Sequence, residues 1–291
     1  MKQDARVVAG AKSMSNFGDV RKLNREEHIL TRPLWERIFT EDSKEFLDYY
    51  YSVKTKENEI YVIEDGNDIV AMLHLNPYQM RIGQEIYDTH YIVAVATDER
   101  FRRRGLMARL MNHVLQEMTE RNEPFTFLMP ANEAYYKPFG FQTVLQKEDV
   151  GICGSDGLTE QLGFCKACET DCKAMADYAN QYLKKYGVAT HRTERYYLTL
   201  LTEHTCEGGG ILLIKEGDRL VGMVPYFGEK AEEIKGPMLE NENYLQQAVF
   251  YLTGEENKAV ICKQFPFMIK VLHPEWESLL KNPKVFLDEV V

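Results

Sequence analysis

The spacing of apolar residues predicts helices and strands in alternation along the first half of the chain. Gly66 and Asn67 separate two runs typical of strands, which is the pattern of a β-hairpin. A later run is almost continuously apolar, so we expect a central strand there. The predicted elements are a helical region at 25–53 interrupted at Pro33 and 40–43, strands at 59–65, 68–75 and 91–97, a helix at 106–121 and a strand at 125–129.

The second half of the chain repeats part of this pattern. Residues 60–72 and 211–223 align without a gap, and each has the order strand, glycine-containing turn, strand. Two hairpins can converge on such a pattern, but the offset between Ile60 and Ile211 is 151 residues, about one domain length. The offset therefore favours duplication of one α/β unit, with the boundary in the glycine-rich stretch 151–163. The predicted domains are residues 1–150 and 151–291.

Composition and charge narrow the function classes. Of the 291 residues, 44% are hydrophobic and 11% aromatic, enough for a sizeable core, which excludes a disordered or collagen-like chain. No apolar run reaches the roughly 18 residues needed to cross a bilayer, and the start of the sequence lacks the pattern of a signal peptide. We therefore expect a cytoplasmic protein without a membrane partner. The formal charge of −10 disfavours nucleic acid and suits a cationic or neutral small molecule.

Three of the six cysteines, Cys165, Cys168 and Cys172, lie close together in the sequence. A metal site would lack an obvious fourth ligand, and the spacing matches neither zinc nor ferredoxin patterns. The positions i, i+3 and i+7 instead predict one face of a helix, with small thiols packed against the core. No metal is predicted.

The stretch that follows the central strand carries the chemistry. Residues 102–107 (Arg-Arg-Arg-Gly-Leu-Met) lead directly from a strand into an amphipathic helix. The start of a helix presents free backbone N–H groups and the positive end of the helix dipole, so it can bind an anion such as phosphate. Gly105 allows close approach of the backbone. The stretch matches neither the P-loop nor the Rossmann fingerprint. A solvated arginine cluster, or a negatively charged protein neighbour, is the alternative interpretation.

Two motifs together resemble a known family. The sequence 95–107, Val-Ala-Thr followed by Arg-Arg-Arg-Gly-Leu-Met, and the later 136–141, Tyr-Lys-Pro-Phe-Gly-Phe, resemble the GNAT acetyltransferases. Their signature [Q/R]-x-x-G-x-[G/A] corresponds to Arg102, Gly105 and Met107, and Met107 departs from the usual small residue. The combination is most similar to Eis-type (enhanced intracellular survival) acetyltransferases, which have two tandem GNAT domains and usually a sterol-carrier-like third domain. We expect that third domain to be absent or reduced to a short tail.

The resemblance implies a fold and a set of site residues. Each domain would be an α/β (α+β) unit with a mixed, mainly antiparallel central sheet flanked by helices, and the second domain would be degenerate. Tyr136 would be the general acid that protonates the departing thiolate, although a packing role beside Phe139 and Phe141 is the alternative. The implied acetyl-CoA contacts are Val95, Ala96, Thr97, Arg102, Arg103, Arg104, Gly105, Leu106, Met107 and Asn132.

The resemblance also implies the reaction, an acetyl-CoA-dependent N-acetylation by direct attack in a ternary complex. The acceptor would be a primary amine on a small cationic (aminoglycoside- or polyamine-like) or lysine-bearing substrate. The sequence near the motif has no Cys-His or Ser-His pair that would indicate a covalent intermediate. In Eis-type enzymes the terminal carboxylate lies in the active site, so the carboxylate of Val291, water or a pocket glutamate would take the amine's proton. A non-catalytic CoA- or ligand-binding regulatory protein is the alternative.

The second half lacks the anion-binding loop. At the equivalent position, residues 241–253 have a plain helical pattern with no Arg-x-x-Gly turn before them. We therefore expect one acetyl-CoA site per chain, with the second half forming a wall of the substrate pocket and a contact between subunits of a homo-oligomer. Trp35 is a candidate wall on the first domain, with ordinary core packing as an equal alternative.

Overall fold

Two mixed β-sheets flanked by helices form the described part of the chain, which a computed structural model gives as residues 17–153, 161–255, 259–281 and 284–289. The predicted boundary at 151–163 therefore lies partly outside the described residues, and so does Val291. Among the helices described, none is both long and apolar enough to cross a membrane.

Local sequence signals set the elements of the first half. Pro33 lies in the first turn of a helix, where its missing N–H costs nothing, so it marks a helix start rather than an interruption. The Ser43 hydroxyl caps the next helix by accepting from the Phe46 amide. The elements are β1 Arg21–Lys22, α1 Arg32–Ile38, α2 Lys44–Ser52, β2 Glu59–Asp65, β3 Asp68–Ile82, β4 Glu85–Thr97, α3 Leu106–Glu120, β5 Phe125–Leu128 and β6 Gln142–Leu145, with short 3₁₀ helices at Arg25–Thr31, Lys54–Lys56, Glu99–Phe101, Glu133–Tyr135 and Lys137–Phe139.

The second half contains the predicted hairpin but not the predicted cysteine-bearing helix. Cys165 lies in a strand, Cys168 precedes a 3₁₀ helix, and only Cys172 is buried at the start of a helix. The prediction that the three cysteines share one face of a helix is therefore wrong. The elements are β7 Glu148–Cys153, β8 Leu162–Lys166, α4 Cys172–Leu183, β9 Val188–Thr190, α5 Glu194–Cys206, β10 Gly210–Glu216, β11 Arg219–Phe227, β12 Glu233–Lys235, β13 Met238–Leu239, α6 Tyr244–Thr253, β14 Ala259–Gln264, β15 Phe267–Val271, α7 Ser278–Lys281 and β16 Val285–Phe286, with 3₁₀ helices at Glu169–Asp171 and Pro274–Trp276.

The two sheets exchange strands. In the described residues, the first sheet has the order β1-β2-β3-β4-β5-β15-β6, so β15 from the second half lies between two strands of the first half. In return, β7 pairs with β14 in the second sheet, which has the order β7-β14-β12-β11-β10-β8. Most pairs are antiparallel, whereas β4–β5, β12–β14 and β9–β16 are parallel. The predicted fold class, two units with mixed, mainly antiparallel sheets and flanking helices, is confirmed.

Helix α3 packs one face of the first sheet, and α1 and α2 cover the other. The predicted apolar stripe of α3 is buried, as the near-zero exposure of Leu110, Val114 and Met118 shows. Each such side chain contributes about 1.5–3 kcal/mol by leaving water. This packing fixes the position of the first turn of α3 relative to the end of β4, where the predicted loop lies.

Candidate active site

Strands β4 and β5 separate at one edge of the first sheet. Their parallel pairing consists of Tyr91 with Phe127 and Ile92 with Leu128, whereas β4 itself continues to Thr97. Within the described residues, β4 therefore has no strand partner on this side beyond Ile92. Backbone groups without a ladder partner must bond elsewhere. The separation leaves an edge that an extended ligand can pair with.

A bulge lies in β4 just beyond the point of separation. The register against β3 shifts between Met72 and His74, and Ala94 has a φ of 51°, which is rare for a residue other than glycine. Ala96 is buried, and Val95 and Thr97 are half-buried. Bulges redirect backbone groups out of the ladder. The predicted contacts Val95, Ala96 and Thr97 thus lie on the open edge of β4.

The first turn of α3 has no capping side chain. Its N-cap residue is Gly105, with a φ of 80°, and the turn carries no acidic residue. By contrast, Ser43 and Thr193 cap α2 and α5 with their hydroxyls. The amides at the start of α3 are therefore available to an external acceptor. Arg103 also has a positive φ, 62°, and alternation of this kind forms concave anion-binding turns.

The three arginines of the loop differ in their contacts. Arg102 donates to the Glu99 carboxylate at 3.0 Å and to the Thr97 carbonyl at 3.3 Å. Arg104 lies over the Phe101 ring, with its guanidinium carbon 5.3 Å from the ring centroid. Arg103 is exposed, and no ion pair joins it to any residue that the structure describes. Leu106 is buried and Met107 packs against the core, so these two residues offer backbone amides rather than side chains.

The second motif lies beyond the end of β5. Asn132 is exposed, and its side-chain oxygen accepts from the Ala134 amide at 2.9 Å, capping a 3₁₀ helix. Tyr136 follows that helix and is only 7% exposed. Its ring meets Phe141 edge-on at 6.1 Å, and Gly140, with a φ of 86°, makes the intervening turn. This packing is compatible with both predicted roles of Tyr136, the general acid and a packing residue.

Electrostatics favour a protonated Tyr136. Burial, and secondarily its neighbour Tyr135, raises the pKa of the Tyr136 hydroxyl to about 12. No other described side chain forms a hydrogen bond with that hydroxyl. At neutral pH it therefore holds its proton and has no acceptor among the side chains that the structure describes.

The structure brings the predicted loop and Tyr136 to the same edge of the sheet. Because β4 and β5 are parallel, the residues that follow Thr97 and those that follow Leu128 leave the sheet at one edge. Tyr91, near this edge, is fully buried, and burial is the main reason that its pKa is raised. Tyr91 and Tyr136 are buried in one core cluster, so Tyr136 packs near the point where β4 and β5 separate.

Trp35 is buried in the core, as the packing alternative predicts. It is 3% exposed, donates to the Asp42 carboxylate at 2.6 Å and packs against Tyr50 with ring centroids 4.6 Å apart. These contacts account for its burial without a ligand. A contact between Trp35 and substrate stays a prediction.

The structure adds a group of residues that the sequence did not single out. Thr190 and Arg192, which precede α5, contact Asp288 and Glu289 near the end of the described chain. No local pattern reveals an ion pair across about a hundred residues of sequence. The only signal was the mixed apolar and acidic character of residues 285–291.

The first half of the chain matches a known protein family. Residues 19–144 match the family model described as the acetyltransferase (GNAT) domain. This part of the chain is therefore a GNAT acetyltransferase domain, and the predicted enzyme class, an acyltransferase, is confirmed. No curated protein sequence matches the chain.

Solved structures share the fold over most of the chain. A GCN5-related N-acetyltransferase from Anabaena variabilis ATCC 29413 has a TM-score of 0.71 at 15% identity, covering 89% of this chain and 73% of its own. One from Kribbella flavida has a TM-score of 0.69 at 13% identity, covering 87% and 71%. Eis1 from Mycobacterium abscessus has a TM-score of 0.63 at 11% identity, covering 87% and 73%. The similarity extends across both sheets rather than the first alone.

Proposed function

We propose that this enzyme is an acetyl-CoA-dependent N-acetyltransferase of the tandem, Eis-type kind. Its acceptor is the primary amine of a small cationic, aminoglycoside- or polyamine-like, or lysine-bearing substrate. The observation that carries the proposal is the meeting of two features at one sheet edge: β4 without a strand partner beyond Ile92, and an uncapped α3 that begins at Gly105. The first suits an extended amide-containing arm, and the second suits a diphosphate.

The residues present fit this donor. A side chain built on Gly105 would meet no atom within 4 Å, so the space beside the loop is open to a ligand. The free amides of Leu106 and Met107, with the charges of Arg102 and Arg103, would hold the diphosphate. Val95, Ala96 and Thr97 would bind the pantetheine arm, and Asn132 lies where the chain leaves β5. When bound, acetyl-CoA supplies the thioester whose acetyl group is transferred.

Tyr136 has the properties that the transfer requires. The new carbon–nitrogen bond replaces the carbon–sulfur bond, so the amine loses one proton and the departing thiolate gains one. A hydroxyl with a pKa of about 12 holds its proton at neutral pH and can donate it from Oη to the sulfur. The amine's proton passes to water or to a carboxylate, and a proton taken up from water restores the Tyr136 hydroxyl for the next turnover.

The acceptor class follows from charge. The chain carries 45 Asp and Glu against 35 Lys and Arg, while arginines line the donor loop. Acidic surface therefore dominates elsewhere, and a long-range negative field raises the encounter rate of polycations. The fold similarity to Eis1 supports the tandem subclass.

The test is thiol release from acetyl-CoA in the presence of polyamines, aminoglycosides and lysine peptides, with product mass measured for each. Acetylation of at least one cationic amine, and none of neutral alcohols, is expected. Binding of acetyl-CoA without turnover by any amine would instead establish the non-catalytic alternative. Failure to bind acetyl-CoA would refute the donor.

A further inference from the structure

The described chain ends in a segment that lies within the body of the protein. This 285–289 segment begins as β16, which pairs in parallel with β9 of the second half. The preceding Lys284 carbonyl accepts from the Gly187 amide at 2.7 Å. Leu287 is 5% exposed and packs in the core of the first sheet. The segment therefore contacts both units.

Arg192 holds the acidic end of the segment. Its side chain is 1% exposed, donates to the Asp288 carboxylate and lies 3.4 Å from the Glu289 carboxylate. The Thr190 hydroxyl also donates to Glu289. The guanidinium carbon lies 4.3 Å from the centroid of the Tyr196 ring. A buried guanidinium is tolerated only with such partners, so removing either side of the contact leaves an unpaired buried charge.

The same segment reaches the candidate active site. Leu287 of the segment, Tyr91 of β4 and Tyr136 are buried in one core cluster. The segment therefore packs in the part of the core that contains the proposed acid.

Gly236 fixes the segment from the other side. It follows β12 of the second sheet, and a Cβ built on it would lie 2.5 Å from the Asp288 Oδ2 and 2.8 Å from the Asp288 Cβ. A methyl group there must displace Asp288, because the Cβ of that residue cannot swing away by a rotamer change. Gly236 has a φ of 52°.

We propose that Arg192 is a positioning residue for acetyl transfer: together with Gly236 it keeps the 285–289 segment packed in the core cluster that contains Tyr91 and Tyr136. The second unit thereby completes the acceptor side of a site whose donor loop lies in the first unit. This inference rests on the proposed function. It assigns a role in that function to residues of the second half, which lack the anion-binding loop.

The first experiment displaces the segment without burying a charge. Gly236→Ala is compared with Gly217→Ala, since Gly217 also has a positive φ, 58°, but a Cβ there meets no atom within 4 Å. We expect Gly236→Ala to lower kcat/KM for the amine by about 10- to 100-fold, because small misplacements of site groups have effects of that size. The dissociation constant of acetyl-CoA should change less than about twofold. Gly217→Ala should match the parent in both.

The second experiment replaces Arg192 alone and then together with its acidic partners Asp288 and Glu289. Arg192→Gln should lower the amine kcat/KM similarly and increase deuterium exchange at residues 284–289 but not in α3. Arg192→Lys should retain part of the activity, and Arg192→Gln combined with Asp288→Asn and Glu289→Gln should regain much of the segment's protection, since no unpaired charge remains.

Two results would overturn the inference. One is full amine activity in Gly236→Ala or Arg192→Gln despite increased exchange of the segment. The other is loss of acetyl-CoA binding in parallel with activity, which would give Arg192 a general structural role. If the parent protein itself acetylates no amine, the proposed function fails instead, so the two failures are distinct.

Discussion

Ile92 of β4 and Leu128 of β5 are the last paired residues of the parallel ladder between these strands. Beyond them the chain bulges at Ala94 on one side and turns towards Tyr136 on the other. The donor loop and the proposed acid therefore follow two neighbouring strands that end at one edge. This single separation places motifs that are about thirty residues apart in the sequence at one site.

Replacing Gly105 by valine should weaken acetyl-CoA binding. A β-branched side chain opposes the φ of 80° at this position and would fill open space beside the α3 amides. We expect the dissociation constant measured by titration calorimetry to rise by about tenfold or more, equivalent to about 1.4 kcal/mol.

Gly66→Val is the matched control for that prediction. Gly66 has a φ of 66° and open space around it, but it lies in the β2–β3 hairpin turn. Its valine variant should lose similar stability and keep acetyl-CoA affinity. Equal affinity losses in both variants, or none in a folded Gly105→Val protein, would remove the loop from the site.

Calorimetry should also give one acetyl-CoA site per chain. In the second unit, the residue after β12 is Gly236, and Asp288 occupies the space beside it. Helix α6 begins at Tyr244 without an arginine-bearing turn before it. A stoichiometry of two equivalent sites would contradict the loss of the second site.

Short-range patterns were sufficient for the hairpins and for α3. The turn at Gly66 lies between alternating runs, and the stripe of α3 follows helical spacing, so both depend on neighbours in sequence. Strands β3 and β4 instead extend to Ile82 and from Glu85, beyond the predicted ends. These extensions carry polar residues, and that of β3 gains part of its pairing from β9, a partner more than a hundred residues away.

Longer-range features could not be predicted from the sequence. The position of β15 between β5 and β6 depends on pairing across more than a hundred residues. Cys165 fits a helical spacing, yet it pairs with Leu213 in the second sheet, so tertiary pairing overrides the local pattern. The Arg102 to Met107 motif was recognisable because a ligand site there needs consecutive residues. The contact of Arg192 with Asp288 involves two isolated residues.

The strand exchange should make the halves interdependent. A fragment of residues 1–150 lacks β15, so β5 and β6 lose the strand between them. It also ends within β7 and lacks β14, the partner of that strand. We expect the fragment alone to show no cooperative urea transition by circular dichroism. The whole chain should show a single transition, because both sheets unfold together. A stably folded, monomeric 1–150 fragment would contradict this interdependence.

Stability should fall at acidic pH partly because of His74. This residue is fully buried, and burial, followed by the charge of His28, lowers its pKa from 6.5 to about 3. Its Nδ1 bonds the Tyr50 hydroxyl, whereas Nε2 has no partner among the described residues. As the pH falls, His74 therefore binds a proton in the unfolded chain at a higher pH than in the folded protein. The contribution of His74 is complete above pH 6.5 and is lost progressively as the pH falls towards 3.

Urea denaturation between about pH 7 and pH 4 tests this dependence. His74→Gln should flatten the decline of unfolding free energy in that range. An identical slope in the His74 variant and the parent would contradict the assignment.

Replacing Tyr136 by phenylalanine should separate chemistry from binding. The change keeps the ring and its contact with Phe141 but removes the hydroxyl whose pKa is about 12. We expect kcat to fall by about 10²–10⁴-fold with every amine, because the thiolate leaves in each reaction, while acetyl-CoA affinity barely changes. Tyr135→Phe, at a neighbouring ring that is 58% exposed, is the control and should keep its activity. If Tyr136 only packs, its variant will match that control with two unrelated amines; if it contacts one substrate, the loss will differ between amines and appear in KM.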